Sequence, residues 1–359
     1  MDGANATMTV LTNHVNEGMD LLAEVVEHPA FSPDDIDRLR KQRLVGFAQE
    51  GDSVNAMAGR VAPKLVYGDQ PYGASPTGTM ESVTKLTRED LTGFYADHYG
   101  PTDSALVLVG DVTEVEAKRL AERAFGGWKG TAKSGATIPP APTLPATHVV
   151  IVDKPGAPQT ALITLAVGVP VTSPDYPTLE VMNYTLGGAF ASRINMNLRE
   201  KNGYTYGASS GFRAFREGGP FLASTLVKTD VTGKAATQLM YELQRFPTAP
   251  PTDAELKEAK DASIHSLPGE FETSAATAGA LRAIYLYSRP LDYYTTLPGK
   301  YEAVTSADVA RVAKEYIHPD HMVIVVVGDR AKIESQMKEA NLGPIEVRDG
   351  QGVLVKDAK

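Results

Sequence analysis

The residues that most often catalyse hydrolysis are scattered along this sequence rather than grouped. No HExxH or HxxEH occurs, and the one close histidine pair, His318 and His321, brackets Pro319, which is typical of a turn. No GxSxG segment precedes a helix, and Thr232-Gly233-Lys234 lacks the upstream glycine of a phosphate loop. The absence of cysteine excludes disulfides, thiolate zinc sites and cysteine nucleophiles.

One segment, Ser192–Gly207, combines a charged donor with a tyrosine and reads SRINMNLREKNGYTYG. Arg199 could donate charge-assisted hydrogen bonds to a substrate carbonyl, and the hydroxyl of Tyr206 could stabilise a developing oxyanion. The Asn202-Gly203 pair predicts a turn between a helix end and a strand start, which would aim both side chains at one point. The alternative is that Arg199 caps the helix and Tyr206 packs in the strand. The residues alone leave both interpretations open.

A helix followed by a strand is predicted at two other places in the chain, with the same sequence pattern at both. Thr87–Asp90 and Thr305–Asp308 each place a hydroxyl three residues before a carboxylate, which predicts a helix start of the capping-box type. Each helix leads into a short β-branched run, Ala105–Val109 or Val323–Val327. Such runs are typical of buried strands.

The two pairs belong to an internal repeat. Residues 84–111 match residues 302–329 at an offset of 218, and identical or apolar pairs fill most of the window. Between the copies, Lys129–Ala146 contains four prolines and two glycines, which is typical of an extended linker. The sequence therefore predicts an α+β protein of two homologous domains, residues 1–128 and 147–359. Each would be an antiparallel-rich sheet packed with helices.

The repeat also predicts that the first domain is incomplete. At this offset the first copy begins opposite Gly219, so residues 147–218 have no counterpart in it. That stretch contains a predicted strand pair, around His148–Val152 and Thr160–Gly168, and a predicted helix, Tyr176–Leu186. We therefore expect an N-terminally truncated chain, or one whose start is wrongly assigned.

The segment around Arg199 resembles the arginine–tyrosine motif of the insulinase/pitrilysin family, the inverted-zincin metallopeptidases. In that family an LRE-type helix end is followed by a Gly-aromatic-x-Tyr strand start, as in Leu198–Tyr206. The resemblance covers nearly the whole chain, including the linker, the two strands that end in Gly-Asp, and Asp69–Gly73, which is similar to the family's HPYG turn. It implies that Arg199 and Tyr206 are the catalytic pair that binds substrate.

Zinc is expected for this family, but the resemblance finds no ligand set in this chain. Family members hold zinc with two histidines of an HxxEH helix and a later glutamate, and the Glu between the histidines is the general base. The helix that would carry HxxEH corresponds to Tyr176–Leu186 and falls in the stretch that the first copy lacks. Matching Ile36–Arg40 to the family's IERER places Gly46 where the zinc glutamate belongs. Glu50 could replace it only if the register slipped by four.

These features favour one component of an insulinase/pitrilysin-type zinc endopeptidase that cleaves peptides or unfolded segments. Family members of bacteria and mitochondria can divide the work, so this chain would supply Arg199 and Tyr206 to zinc on a homologous partner subunit. We expect it to be inactive alone and to act in a heterodimer with that subunit, or as a homodimer. Two alternatives stay open: a self-sufficient zinc peptidase whose HxxEH lies upstream of Met1 and which uses Glu50, and a non-catalytic scaffold or peptide-binding homologue.

The composition adds few limits. The chain has 359 residues, enough for two domains, and its net charge of −9 argues against non-specific nucleic-acid binding. Apolar runs such as Met322–Val327 are strand-sized, so we expect no transmembrane segment. No signal peptide is visible. The family resemblance favours the bacterial periplasm, with the cytoplasm as the alternative, and the compartment stays unknown.

Overall fold

The computed structural model describes residues 2–133 and 137–355, so residues 134–136 of the predicted linker lie outside the described residues. The protein is α+β, as predicted. The helices are α1 (Val15–Glu27), α2 (Pro33–Glu50), α3 (Val54–Tyr67), α4 (Met80–Lys85), α5 (Arg88–His98), α6 (Glu114–Phe125), α7 (Tyr176–Asn183), α8 (Arg193–Asn195), α9 (Thr232–Arg245), α10 (Asp253–Ser266), α11 (Ser274–Leu286), α12 (Tyr293–Ala303), α13 (Ser306–Tyr316) and α14 (Arg330–Ala340). The strands are β1 (His148–Asp153), β2 (Gln159–Val167), β3 (Thr205–Phe212), β4 (Pro220–Lys228), β5 (Val323–Gly328) and β6 (Ile345–Arg348).

The six strands form one mixed sheet in the order β3-β4-β2-β5-β1-β6. β1 runs parallel to β5 and β6, whereas β2 is antiparallel to β4 and β5, and β3 is antiparallel to β4. In the middle of the sheet, Val325 of β5 lies opposite Val150 on one side and Ile163 on the other. The strand that carries Tyr206, β3, is therefore an edge strand.

The central strands β1 and β5 are buried on both faces of the sheet. Val150, Val325 and Val327 belong to a cluster that also contains Val61 and Val66 of α3. The residues between them along β1 and β5 point to the opposite face, because side chains alternate along a strand. These alternate residues are also fully buried: Val149, Ile151, Ile324 and Val326. Burial on both faces explains why β1 and β5 read as continuous apolar runs.

The chain divides into two compact units, each assembled from separate segments. The first contains Met1–Phe47, Thr77–Thr137 and Leu267–Leu291, and the second contains Ala48–Pro76, Ile138–Ser266 and Asp292–Lys359. In the second unit, α3 and Ile138 pack against the sheet core, although the sequence places them in the predicted first domain and linker. The division into homologous domains 1–128 and 147–359 stays a prediction.

The first unit is helical wherever the structure describes regular elements in it. Its α1 packs against α6, which buries Met19 and Leu120. An ion pair of 2.6 Å between Arg123 Nη2 and Asp20 Oδ1 joins the same two helices. The Tyr95 hydroxyl of α5 donates to the carbonyl oxygen of Val26 at 2.6 Å, so the C-terminal end of α1 also contacts α5.

The predicted capping boxes are confirmed in both copies of the repeat. The Thr87 hydroxyl accepts from the Asp90 N–H at 3.1 Å, and the Asp90 carboxylate accepts from the Thr87 N–H at 2.8 Å. Thr305 and Asp308 make the same two hydrogen bonds, at 3.1 and 3.0 Å. Each pair satisfies two backbone donors that a helix start otherwise leaves free.

The strand predicted at Ala105–Val109 is wrong, and so is the sheet expected within residues 1–128. That segment pairs with no strand among the described residues, and Ala105 is exposed, whereas the matching Val323–Val327 is a fully buried strand. A strand needs neighbours for its backbone groups, and those of β5 are β1 and β2. Both lie in residues 147–218, and the described residues before the linker form no strand that could take their place.

The helix before this segment, α5, is also less buried than its match in the repeat. Phe94 of α5 is 59% exposed, whereas the residue that matches it in the repeat, Val312 of α13, is fully buried. The helix α5 forms because its cap and local sequence suffice, but the described residues of the first unit form no sheet for it to cover. Local signals were therefore enough for the helix and insufficient for the strand.

Candidate functional site

Two π-helical turns occur at the predicted site, one before the segment Ser192–Gly207 and one within it. Tyr184–Gly188 ends α7, and Met196–Lys201 continues α8. Such turns are rare and are frequently found at functional sites. The first turn lies directly against β3, since a Cβ atom on Gly187 would come within 2.5 Å of the backbone nitrogen of Ser210. Only glycine permits this approach.

The second π turn ends as the sequence predicts, with a tight turn into β3. The N–H of Gly203 donates to the carbonyl oxygen of Arg199 at 3.0 Å, and the N–H of Tyr204 donates to that of Leu198 at 2.9 Å. Gly203 has a φ of +66°, a left-handed conformation that favours glycine. The predicted helix end, turn and strand start are confirmed, so Arg199 and Tyr206 lie on adjoining elements.

Arg199 is one-third exposed, with its guanidinium carbon 4.2 Å from the centre of the Phe190 ring. Its Nε lies 3.6 Å from the carboxylate of Glu200, a long contact between partly solvated groups. Nη1 is buried and has no hydrogen-bond partner among the residues that the structure describes. This nitrogen therefore does not cap the helix, and it is a buried donor whose hydrogen bonds are unsatisfied among the described residues.

Tyr206 lies in an irregularity of β3 and is turned towards solvent. Thr205 pairs with Val227, but the next pair is Ala208 with Thr225, so β3 bulges at Tyr206 and Gly207. The side chain of Tyr206 is 88% exposed. The interpretation that Tyr206 packs within the strand does not fit this exposure.

A buried asparagine that sequence reasoning missed, Asn195, ties this bulge to the start of the motif. Its Oδ1 accepts from the N–H of Ala208 at 3.0 Å, and its Nδ2 donates to the carbonyl oxygen of Phe190 at 2.6 Å. Asn195 is 3% exposed, so neither amide group has water as an alternative partner.

A second group of side chains that the sequence did not predict packs against the π turn from α9. The side chain of Asn197 donates to the buried carboxylate of Glu242 on α9, which also accepts from Nε of Arg245 at 2.7 Å. The Oδ1 of Asn197 accepts from Nδ2 of Asn202 at 2.7 Å. Asparagine is a poor helix former, so two asparagines inside a predicted helix were the one signal that could have pointed to these contacts.

Arg193 fixes the other end of the motif to α10 and to the loop before it. Its Nη2 lies 2.8 Å from Oε2 of Glu255, and its Nη1 donates to the carbonyl oxygen of Ala249 at 2.5 Å. The hydrogen bond from Arg193 is the main reason that the pKa of Glu255 falls to about 2, and partial burial acts in the opposite direction. Arg193 therefore has a structural partner, whereas Arg199 keeps a free donor.

The positions suggested for zinc do not form a zinc site. Gly46 lies in α2, and the carboxylate of Glu50, at the end of that helix, is paired with Nη2 of Arg60 at 2.6 Å. Nδ1 of His321 lies 2.9 Å from the carbonyl oxygen of Leu144. Across residues 2–133 and 137–355, no group of three or more His, Asp or Glu side chains could hold a metal ion. The described residues therefore do not fit the ligand set of the family, and the zinc content of the chain stays a prediction.

The turn similar to the family's HPYG segment serves packing in the second unit. Tyr72 is buried, with its ring 4.7 Å from that of Phe215 and 5.8 Å from that of Tyr67. Its hydroxyl accepts from the N–H of Glu217 at 3.2 Å. A Cβ atom on Gly73 would lie 2.4 Å from the carbonyl oxygen of Gly68, so this turn requires glycine.

Comparisons with known proteins find a family and several relatives that this chain resembles. The family described as peptidase M16 inactive domain matches residues 85–263. An uncharacterized zinc protease of Mycobacterium leprae is 28% identical over 214 residues, which are 58% of this chain and 47% of that protein. The mitochondrial-processing peptidase subunit beta of Blastocladiella emersonii is 24% identical over 331 residues, 89% of this chain and 70% of that protein.

A solved structure shows the same fold. The crystal structure of a peptidase M16 inactive domain from Pseudomonas fluorescens has a TM-score of 0.80 and 26% identity, and the match covers 87% of this chain and 74% of that one. Residues 85–263 thus belong to the peptidase M16 inactive domain, and the relatives are consistent with the insulinase/pitrilysin metallopeptidases. Zinc is accordingly expected for its family.

The chain spans about half the length of several of the curated relatives that it matches. Within the described parts of the chain, no helix combines the length and the apolar character needed to cross a membrane.

Proposed function

We propose that this chain is the component of an M16-type zinc endopeptidase that supplies Arg199 and Tyr206 to the substrate. The substrate would be a peptide or an unfolded protein segment, and zinc would be held by a homologous partner subunit. The observation that carries this proposal is the buried Nη1 of Arg199, which has no hydrogen-bond partner among the described residues.

The free donor of Arg199 suits a peptide carbonyl. A guanidinium donates strong, charge-assisted hydrogen bonds, and a buried donor gains more from an acceptor than a solvated one does. A peptide that lies along the motif would give Arg199 that acceptor already in the ground state. Arg199 would therefore contribute to binding as well as to turnover.

Tyr206 suits a different role. Its exposed hydroxyl can reach a bound substrate, and one tyrosine donor directed at a developing oxyanion stabilises the transition state more than the ground state. The bulge that turns Tyr206 outwards keeps its ring out of the core, so the hydroxyl is available for this purpose.

The contacts of Glu50 and the side chains around it support zinc on a separate subunit. Glu50 is engaged by Arg60, and the described residues offer no metal-binding group. Relatives named zinc proteases and a mitochondrial-processing peptidase beta subunit support a zinc-dependent assembly of more than one chain.

The test is reconstitution. The purified chain is analysed for metal and then mixed with the zinc-bearing M16 homologue of the same genome, and cleavage of an unstructured peptide is followed. We expect no stoichiometric zinc on the chain alone, and turnover only in the mixture. About one zinc per chain, lost on chelation together with peptidase activity, would overturn the division of labour. Peptide binding without turnover in any mixture would favour the non-catalytic homologue.

A further inference from the structure

Phe190, whose ring contacts Arg199, is unusually exposed for a large apolar side chain. Phe190 is 67% exposed, although a large apolar ring gains by burial. Its ring faces the guanidinium of Arg199, with 4.2 Å between the ring centre and Cζ. A cation over an aromatic face is attracted by the ring quadrupole and uses none of its hydrogen-bond donors. Phe190 therefore holds the charge of Arg199 and leaves the donors for another partner.

The backbone at Phe190 is itself held. Its carbonyl oxygen accepts from Nδ2 of Asn195, and Oδ1 of the same amide accepts from the N–H of Ala208. One side chain thus joins the residue that contacts Arg199 to the strand segment that follows Tyr206. Because Asn195 is almost completely buried, a loss of either hydrogen bond would leave a polar group without a partner.

We propose that Phe190 and Asn195 are positioning residues for Arg199: Asn195 fixes Phe190 relative to β3, and Phe190 holds the guanidinium in its substrate-binding orientation. This inference rests on the proposed function, because it assumes that Arg199 binds a peptide. An arginine side chain has many rotamers, and a partly exposed one would otherwise sample them. The contact with Phe190 orders it before substrate arrives, which is preorganisation.

The first readout is independent of substrate. In the full chain, the side-chain NMR signals of Arg199, assigned from their loss in Arg199→Lys, should show the upfield ring-current shift of groups above an aromatic face. Phe190→Leu, which keeps an apolar side chain without a ring, should remove the shift. Phe190→Tyr should keep it. Asn195→Ala should reduce it, although the ring itself is unchanged.

The second readout is binding of a fluorescently labelled unstructured peptide to the full chain, measured by anisotropy. Phe190→Leu should weaken binding roughly two- to five-fold, the scale of one exposed cation–π contact, and Phe190→Tyr should restore it. Asn195→Ala should weaken binding at least as much. The matched control is Asn183→Ala, because Asn183 also ties a π turn to β3, but through Ser210. It should bind like the wild type.

The outcomes separate the two proposals. If Arg199→Ala weakens binding while Phe190→Leu binds like the wild type, the positioning role is wrong and the proposed function stands. If Asn183→Ala weakens binding as much as Asn195→Ala, Asn195 has only a general structural role, and the inference is overturned. If Arg199→Ala itself binds like the wild type, the proposed function fails, and the inference that rests on it fails too.

Discussion

The side-chain amide of Asn197 donates to the carboxylate of Glu242, with 2.5 Å between Nδ2 and Oε1. The two residues are 45 positions apart in the sequence, and their contact joins α9 to the π turn that carries Arg199. Glu242 is 2% exposed, and Arg245 is its second donor. A buried carboxylate with two donors thus supports the candidate site from within the second unit.

Replacement of Glu242 by alanine should lower the free energy of unfolding by about 1–3 kcal/mol, because the buried donors of Asn197 lose their acceptor. Urea unfolding followed by circular dichroism measures this change. Asp261→Asn is the matched control, since it removes an exposed carboxylate that pairs with Lys257, a contact worth about 0–1 kcal/mol. Equal losses in the two variants would contradict a structural role for Glu242.

In the reconstituted assembly, Tyr206→Phe should reduce transition-state stabilisation by ~2.7–4 kcal/mol, the scale for one oxyanion donor, and leave peptide binding nearly unchanged. The free energy of unfolding should also stay within about 0.5 kcal/mol, because the side chain is exposed. Arg199→Ala should lower both binding and kcat. Steady-state kinetics on an unstructured peptide distinguishes the two patterns. An unchanged kcat in Tyr206→Phe, with the assembly intact, would exclude the oxyanion role.

The ion pair between Arg193 and Glu255 predicts a pH dependence of stability. Arg193 lowers the pKa of Glu255 to about 2 in the folded chain, below the usual value of 4.5. A lowered pKa means that folding favours the carboxylate, so its contribution is complete above pH 4.5 and is lost as pH falls towards 2.

Glu255→Gln should therefore cost about 1–2 kcal/mol at neutral pH and less towards pH 3, a discounted figure because the carboxylate is one-third exposed. Denaturant unfolding between pH 3 and pH 7 measures the difference from the wild type. Glu302→Gln, which removes a largely exposed carboxylate 3.8 Å from Lys260, serves as the control. A difference that grows as pH falls would have the wrong sign.

Limited proteolysis should act first on the helices of the first unit. Few of their apolar residues are buried, and such regions open locally at low cost. Mass spectrometry of a time course should show peptides from residues 1–47, 77–128 and 267–291 before peptides from α3 and from residues 147–266 and 292–359. The helix α3 is the internal control, because it precedes the linker in sequence but packs on the sheet. Simultaneous loss of α3 and α5 would contradict this order.

The elements that were predicted correctly depend on short-range signals. The hydroxyl and carboxylate of Thr87 and Asp90 lie three residues apart, so their capping box needs nothing else. The strand at Ala105–Val109 depends on neighbours, and its apolar pattern alone could not show that they are missing. Burial of β5 on both faces was predictable from the sequence, because its run Val323–Val327 is apolar throughout.

The candidate site was predicted in the same uneven way. The types and spacing of Arg199 and Tyr206 identify them as a pair, and Gly203 predicts the turn between them. The partners of that pair were not predictable, because the contact of Asn197 with Glu242 is a tertiary one that leaves no periodic pattern. The cation–π contact of Phe190 was missed for the same reason.

The bulge in β3 has a consequence for the backbone hydrogen bonds at the edge of the sheet. An edge strand usually offers unpaired N–H and C=O groups, which can recruit another chain into the sheet. Here side chains satisfy the backbone of Gly207. Its N–H donates to the hydroxyl of Thr205 at 3.0 Å, and its carbonyl oxygen accepts from the hydroxyl of Thr225 at 3.0 Å. Both backbone groups of Gly207 are therefore satisfied within the sheet, so the bulge next to Tyr206 leaves neither of them unpaired.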